Sequence, residues 1–293
     1  MQDKKATYKL IIAMVIFGTI GLFVRYLSLP SSVIALFRGM GGTLFLLAAN
    51  GRKAVFSGGM KKNLHWLLLS GAALGFNWIL LFESYRYTSV AVSTLCYYLA
   101  PILVILASPV ILKEKLTSKK ILCVAAALGG MVCLSGVLQT GVPQGAELKG
   151  ILFGLAAAVL YACIVMLNKQ INGISGTEKT VFQLGISALV LLPYCLLTVD
   201  GTTFHFDGKT VLLLAIVAIV HTGLAYALYF DALGKIPGQT AAILSYIDPV
   251  VAVLASVLVL REPMLPTEAV GAVLILGAAV VSEVQLPRKE RKE

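Results

Sequence analysis

Arg38, His221 and Asp248 each fall inside a long apolar stretch of the sequence. An ionisable side chain in such surroundings is costly unless it faces water, a partner or a ligand. Arg38 carries a planar fork that grips a carboxylate through two hydrogen bonds, and the same fork serves to tie a helix to a backbone carbonyl. Asp248 immediately precedes Pro249, whose missing N–H frees a carbonyl one turn earlier and makes a polar break in a helix. There its carboxylate binds an amine, takes up a proton or sits in a fixed ion pair. His221 reads as a buried neutral ring or as a proton or ligand contact. Asn77, Trp78, Tyr97, Tyr98, Tyr226, Tyr229 and Tyr246 read as ordinary packing or as the wall of an aromatic pocket, with Gln239 and Thr240 adding polar groups. Asn77 is the sharpest of these, since a buried amide needs several partners.

These residues are spread along a chain that is 58% hydrophobic and 13% charged over 293 residues. A soluble domain carries about 25% charge, and this chain has too little to coat a water-facing surface. Its charges lie between apolar runs at roughly 9–28, 33–49, 64–83, 88–112, 119–138, 150–167, 180–197, 210–230, 238–260 and 267–284. Each run is about the length needed to cross about 30 Å of hydrocarbon as a helix. The runs lack the alternation of lipid-facing strands, which favours helices over a barrel. The sequence thus predicts an all-α integral membrane protein with ten transmembrane helices. The first run follows Lys4, Lys5 and Lys9 and reads as a retained helix, not a cleaved leader. All five cysteines fall in these runs, so no disulfide is expected.

Charge gives an orientation. With the N-terminus in the cytoplasm and ten alternating spans, the far side holds Arg25, Arg86, Lys149, Lys209 and Arg261, and Arg38 lies within a span. The remaining 18 of the 24 Lys and Arg face the cytoplasm, the asymmetry expected of a membrane protein. Both termini are then cytoplasmic, the site is the cell (inner or plasma) membrane, and residues 287–293 form a basic tail that is solvated or touches anionic lipid. The net charge of +10 is accounted for by these helix ends, so nucleic acid is not expected as a partner.

The chain also repeats itself. Tyr97–Leu116 aligns without a gap on Ser245–Met264, matching Tyr98 to Tyr246, Pro101 to Pro249, Ser108 to Ser256, Lys113 to Arg261 and Glu114 to Glu262. The same offset pairs Gly75 with Gly223 and Glu83 with Asp231. Residues 1–143 and 144–286 are thereby expected to form two five-helix repeats. An odd number of spans per repeat inverts the second relative to the first, the common architecture of secondary transporters. Pro101 and Pro249 are expected to kink their helices and serve as hinges. Glu83 and Asp231 read as end-of-helix gates or topology charges, and Glu114 and Glu262 as members of ion pairs that hold a closed state. Gly71 with Gly75, and Gly150 with Gly154, are spaced for close helix contact, within the bundle or in a weak dimer. No phosphate loop or metal-ligand spacing is present in the sequence, and no cofactor is expected.

These marks resemble the drug/metabolite transporter superfamily, in particular its EamA-type ten-helix transporters. The resemblance spans about residues 8–285 and rests on Pro101 with Lys113-Glu114, Pro249 with Arg261-Glu262, and the ALFRG string at 35–39. It implies an exporter or exchanger of small metabolites, amino acids among them. The third, fourth, eighth and ninth helices would then line a central cavity. The partners so implied are a small-molecule substrate, coupling protons and membrane lipid. Leu160-Tyr161 departs from the aromatic-Gly pattern that Phe17-Gly18 follows. A channel, a receptor or scaffold and a membrane enzyme are the competing readings, and the residues offer no convergent catalytic set for the last.

Overall fold

The computed structural model describes residues 3–24, 26–55, 60–87, 93, 96–134, 147–199, 206–261 and 265–283. They fold into helices named here α1 (Lys4–Val24), α2 (Ser31–Val55), α3 (Met60–Tyr87), α4 (Ala100–Ile111), α5 (Ser118–Leu134), α6 (Glu147–Gln170) and α7 (Gly176–Thr198). There follow α8 (Gly208–Ala218), a π-helical turn (Ile219–Leu224), α9 (Ala225–Leu233), α10 (Gly238–Leu244), α11 (Ile247–Leu260) and α12 (Pro266–Glu283).

Local chemistry sets the helix starts. Asp3 accepts the N–H groups of Lys5 and Ala6 at 3.0 and 3.2 Å and so caps α1. Ser175 accepts the Glu178 N–H at 3.1 Å to open α7, with the Ser-x-x-Glu spacing of a capping box. Asp207 caps α8 through the Thr210 N–H at 2.7 Å. Pro101 and Pro249 act at helix starts too. A turn at Tyr98-Leu99 precedes α4 and one at Ser245-Tyr246 separates α10 from α11, and each proline stands in the first turn of the new helix. The expected kinks take the form of short interruptions: Leu99 and Ser245 keep helical backbone angles, the turns carry i to i−3 hydrogen bonds, and a proline in the first turn that follows needs no N–H donor.

Among the described residues, seven helical segments are long and apolar enough to cross a membrane: Lys4–Val24, Ser31–Asn50, Met60–Tyr87, Leu148–Gln170, Gly176–Thr198, Gly208–Leu233 and Gly238–Val259. The fold is that of a multi-pass helical membrane protein. The spans expected at 88–112 and 119–138 appear as the shorter α4 and α5, and parts of both ranges lie outside the described residues.

The packing is the reverse of a soluble protein. Leu197, Val110, Leu258 and Val273 point outward, while Asn77, Asn168, Gln183, Thr180 and Gln239 are fully buried. Lipid accepts the first group, and hydrogen bonds inside the bundle satisfy the second. Asn168 and Gln183, for instance, exchange two amide hydrogen bonds, at 3.2 and 2.9 Å. The helices pack chiefly against partners far away in sequence: α1 lies against α9 and α11, α2 against α7, α3 against α6 and α7, α4 against α10, and α5 against α12. The five described-region cysteines are free thiols.

Glycine permits the closest of these approaches. A Cβ on Gly71 would stand 2.8 Å from Ile186 Cβ, and one on Gly75 2.8 Å from Val190 Cβ and 3.0 Å from the Ser187 carbonyl. This glycine pair is thus spent on packing α3 against α7 within the chain. Gly129, in contrast, has nothing within 4 Å. Gly75→Ala is expected to destabilise the protein by about 1–3 kcal/mol through overpacking, read as a lower thermal midpoint in detergent. Gly129→Ala should leave the midpoint in place, and equal midpoints for both variants would show that α3 and α7 are not in close contact.

Candidate functional site

The interrupted helices border a cavity of about 450 Å³. Its walls come from α1 (Phe17, Gly21, Val24), α2 (Ser31, Arg38), α3 (Trp78, Tyr85) and the start of α4 (Tyr97, Tyr98, Pro101). Tyr161 of α6, Tyr226 and Tyr229 of α9, and Ser245 and Asp248 complete it. It reaches Gly21, Val24, Ser31 and Tyr85, which lie at the bundle end away from Lys113, and Gly21 has open space beside its Cα.

Two charged groups face this space from different walls. Asp248 accepts a hydrogen bond from the Tyr98 hydroxyl at 2.9 Å, and the Tyr98 backbone carbonyl in turn accepts the Tyr246 hydroxyl at 2.9 Å. The repeat-matched tyrosines thus do different work: one faces the carboxylate and the other, fully buried, fixes the first. The helix break before α11 supplies this geometry, because it brings Ser245 and Asp248 to the cavity while Pro249 stays buried behind them. Among the described residues Asp248 has no basic partner.

Arg38 is held by its inner nitrogen. Its Nε donates to the Thr222 hydroxyl at 3.0 Å, and the guanidinium lies 5.1 Å above the Trp78 ring centroid. Thr222 sits in the π-helical turn and donates to the Val217 carbonyl at 2.9 Å, five residues back. π-turns recur at functional sites because the extra residue re-aims side chains. Among the described residues Arg38 makes its hydrogen bond through Nε alone. His221 neighbours this anchor without lining the cavity. Its Nε2 is 3.2 Å from the Thr19 hydroxyl, its ring packs at 4.7 Å from Phe23, and its Nδ1 is buried without a hydrogen-bond partner.

Tyrosines fill the wall between the two charges. The hydroxyls of Tyr161 and Tyr229 meet at 2.6 Å, and Tyr226 packs edge-on to Phe17 at 4.9 Å and to Trp78 at 6.1 Å. Asn77 stands one layer behind: its amide donates to the Ala157 carbonyl at 2.6 Å and its oxygen accepts the Tyr97 hydroxyl at 3.4 Å.

The Lys113 end of the bundle is closed. Glu114 accepts the backbone N–H groups of Gly238 at 2.7 Å and Gln239 at 3.1 Å. The Gln239 amide donates to the Ser108 hydroxyl, and Lys169 donates to the Ile236 carbonyl. Lys9 and Lys235 both pair with Asp231, at 2.6 and 2.7 Å. At the opposite end Glu83 accepts from Arg86 at 2.9 Å and from the Tyr194 hydroxyl.

Of the residues singled out in the sequence, Arg38, Trp78, Tyr97, Tyr98, Pro101, Tyr226, Tyr229 and Asp248 line the cavity. Asn77, Tyr246 and His221 support it from behind, and Glu83, Glu114 and Asp231 stand at the bundle ends. Glu262 lies outside the described residues. Glu114 corrects the expectation of an ion pair, because its carboxylate meets backbone N–H groups and the nearby Lys169 serves a carbonyl. Tyr85 and Ser245 were not foreseen, since neither carries a charge or breaks a pattern. Tyr161 stood out only as a departure from the aromatic-Gly pattern.

Two segments of the chain, residues 5–136 and 148–283, each match the EamA-like transporter family. The chain belongs to that family. Relatives of this EamA-like transporter include "Uncharacterized transporter YxxF" of Bacillus subtilis (strain 168), 31% identical over 256 residues, covering 86% of this chain and 81% of the relative. Another is a "Probable amino-acid metabolite efflux pump" of Escherichia coli (strain K12), 32% identical over 179 residues, covering 58% of this chain and 59% of the relative. A solved crystal structure, 19% identical, covers 94% of this chain and 97% of its own with a TM-score of 0.83, and establishes likeness of fold.

Coupling between Tyr98 and Asp248 is measurable apart from transport. A double-mutant cycle of Tyr98→Phe and Asp248→Asn, read by unfolding in detergent, is expected to give an interaction energy of about 1–3 kcal/mol. A value near zero would separate the two side chains.

Proposed function

We propose that this EamA-like protein is a secondary transporter that exports or exchanges a small zwitterionic metabolite, amino acids foremost, by exposing one cavity alternately to the two faces of the cell membrane. The observation that carries the reading is the cavity: Arg38 and Asp248 face it from separate walls, aromatic rings lie between them, and polar contacts tie the described residues together at the Lys113 end. Its volume of about 450 Å³ falls in the range of small-molecule sites. A carboxylate on Arg38 and an ammonium on Asp248 would neutralise both charges at once, and the rings would cover an apolar side chain. The Escherichia coli relative's description as a probable amino-acid metabolite efflux pump favours both the substrate class and export.

The reading takes the bundle as ten spans in two inverted repeats, 1–143 and 144–286. Two features support it. Lys113 and Arg261, matched by the repeat, share a left-handed backbone with φ of 55° and 56°, which a non-glycine residue rarely adopts. The packing partners also exchange as a two-fold axis would require, since α1 meets α9 and α11 while α6 meets α3 and α4. Positive-inside sorting assigns the Lys113 end to the cytoplasm, with both termini, so this conformation faces outward. Asp248 is the group best placed to carry a coupling proton. The glycine contacts used inside the bundle favour a monomer. A channel would need a water path through the Lys113 end, where Glu114, Gln239 and Lys169 close it.

Proteoliposomes loaded with unlabelled amino acids are expected to show saturable counterflow of a labelled member of the panel. Unitary currents without counterflow would replace this reading with a channel. Arg38→Lys loses the fork and is expected to weaken binding of the transported carboxylate about tenfold or more, with folded yield unchanged. Asp248→Asn is expected to leave residual transport that no longer varies with pH, and an unchanged pH profile would take the coupling role from Asp248.

A further inference from the structure

We propose that Glu114 is the latch of the Lys113 end, and that withdrawal of its carboxylate from Gly238 and Gln239 is an obligatory step each time the cavity opens to that side. The inference rests on the alternating-access reading above and assigns it a controlling residue.

The contact joins the two halves. Glu114 follows α4, whereas Gly238 and Gln239 begin α10 in the second half. The cap position of α10 is Pro237, which has no side-chain oxygen, so the first N–H groups of that helix need an acceptor from elsewhere. A carboxylate with two oxygens accepts both at once. The left-handed turn at Lys113 sets where Glu114 stands, and the Glu114 N–H donates to the Ser108 carbonyl at 3.2 Å. Ser108 also receives the Gln239 amide, so side chain and backbone bind the same strip of the second half. From α6, Lys169 secures Ile236, two residues before Gly238.

This seal is built to reopen. The Gln239 side-chain oxygen is buried without a partner, a cost of the closed arrangement that water would relieve on opening. Two further polar ties join the halves at this end: Lys9 with Asp231, partly exposed at 42% and 21%, where ion pairs contribute little, and Asn63 with Asn172, which exchange hydrogen bonds of 2.8 and 3.2 Å between the start of α3 and the end of α6. Glu114 is the tie that joins α4 to the start of α10, the two elements beside the helix interruptions that line the cavity. A glutamine in its place keeps the shape but presents an N–H₂ to one of the two N–H donors, which breaks half of the contact.

The test uses the full chain with its five cysteines replaced and Ser245→Cys, on the cavity wall, as reporter. A membrane-impermeant maleimide is applied from each face, to intact cells and to inside-out vesicles. Glu114→Gln is expected to raise labelling from the Lys113 side by about tenfold and lower it from the opposite side, as a shift in a two-state equilibrium requires. Glu114→Asp, which shortens the reach by one methylene, should do the same to a lesser degree. Unchanged labelling in folded Glu114→Gln protein would overturn the proposal, as would failure of both variants to fold, which would make Glu114 a folding residue. If an amino-acid mixture shifts labelling of the parent between faces but the variants do not, the latch falls and alternating access stands. If one face alone labels Ser245→Cys in the parent, with and without the mixture, and in both variants, both fall.

Discussion

Every polar group in this bundle is confined by a solvent that offers it nothing. Lipid cannot satisfy an amide or a carboxylate, so each must be answered by another group of the protein or by water in a cavity. Most are answered internally: Asn168 by Gln183, Asn77 by Ala157 and Tyr97, Tyr246 by the Tyr98 carbonyl. Arg38 and Asp248 are answered in part, by one hydroxyl each, and retain donors and acceptors that face the cavity. The unspent capacity of these two side chains is why the transport reading proposed above places the substrate in this cavity.

The same constraint explains how the fold both holds and moves. Contacts between distant helices bring apolar and glycine surfaces together with little direction, as where Gly130 of α5 meets the Gly271 carbonyl of α12. Such surfaces tolerate small sliding. Directional polar contacts gather at the ends and at the helix breaks, where backbone groups are left without partners. The Tyr98-Leu99 and Ser245-Tyr246 interruptions sit at the level of the cavity, next to the Lys113 end where Glu114 meets the start of α10. Movement of α10 and α11 about that break would change the seal and reshape the site together.

Much of this was legible in the residues. Long apolar runs gave the membrane class and most of its helices, because the hydrocarbon imposes a length with few exceptions. Arg38 and Asp248 were legible for the same reason, as ionisable groups at unfavourable depth. Sequence could not show the contacts made by backbone. Glu114 looked like half of an ion pair because lysines are visible as letters and the N–H groups of Gly238 and Gln239 are not. Tyr85 and Ser245 carried no signal, since a tyrosine or serine in an apolar run is common. The π-helical turn was hidden too, as Ile219–Leu224 has no residue that breaks an α-helical pattern by itself.

One cavity with two alternating mouths is the claim on which the account stands, and distances across both ends test it most directly. Spin labels at Ser28 and Arg86 would span the accessible end, and labels at Lys115 and Lys235 the sealed one, in two variants of the reconstituted protein. Adding a transported amino acid should shift population to a shorter distance in the first pair and to a longer distance in the second. Distributions that stay fixed in both pairs, or that lengthen together, would contradict it.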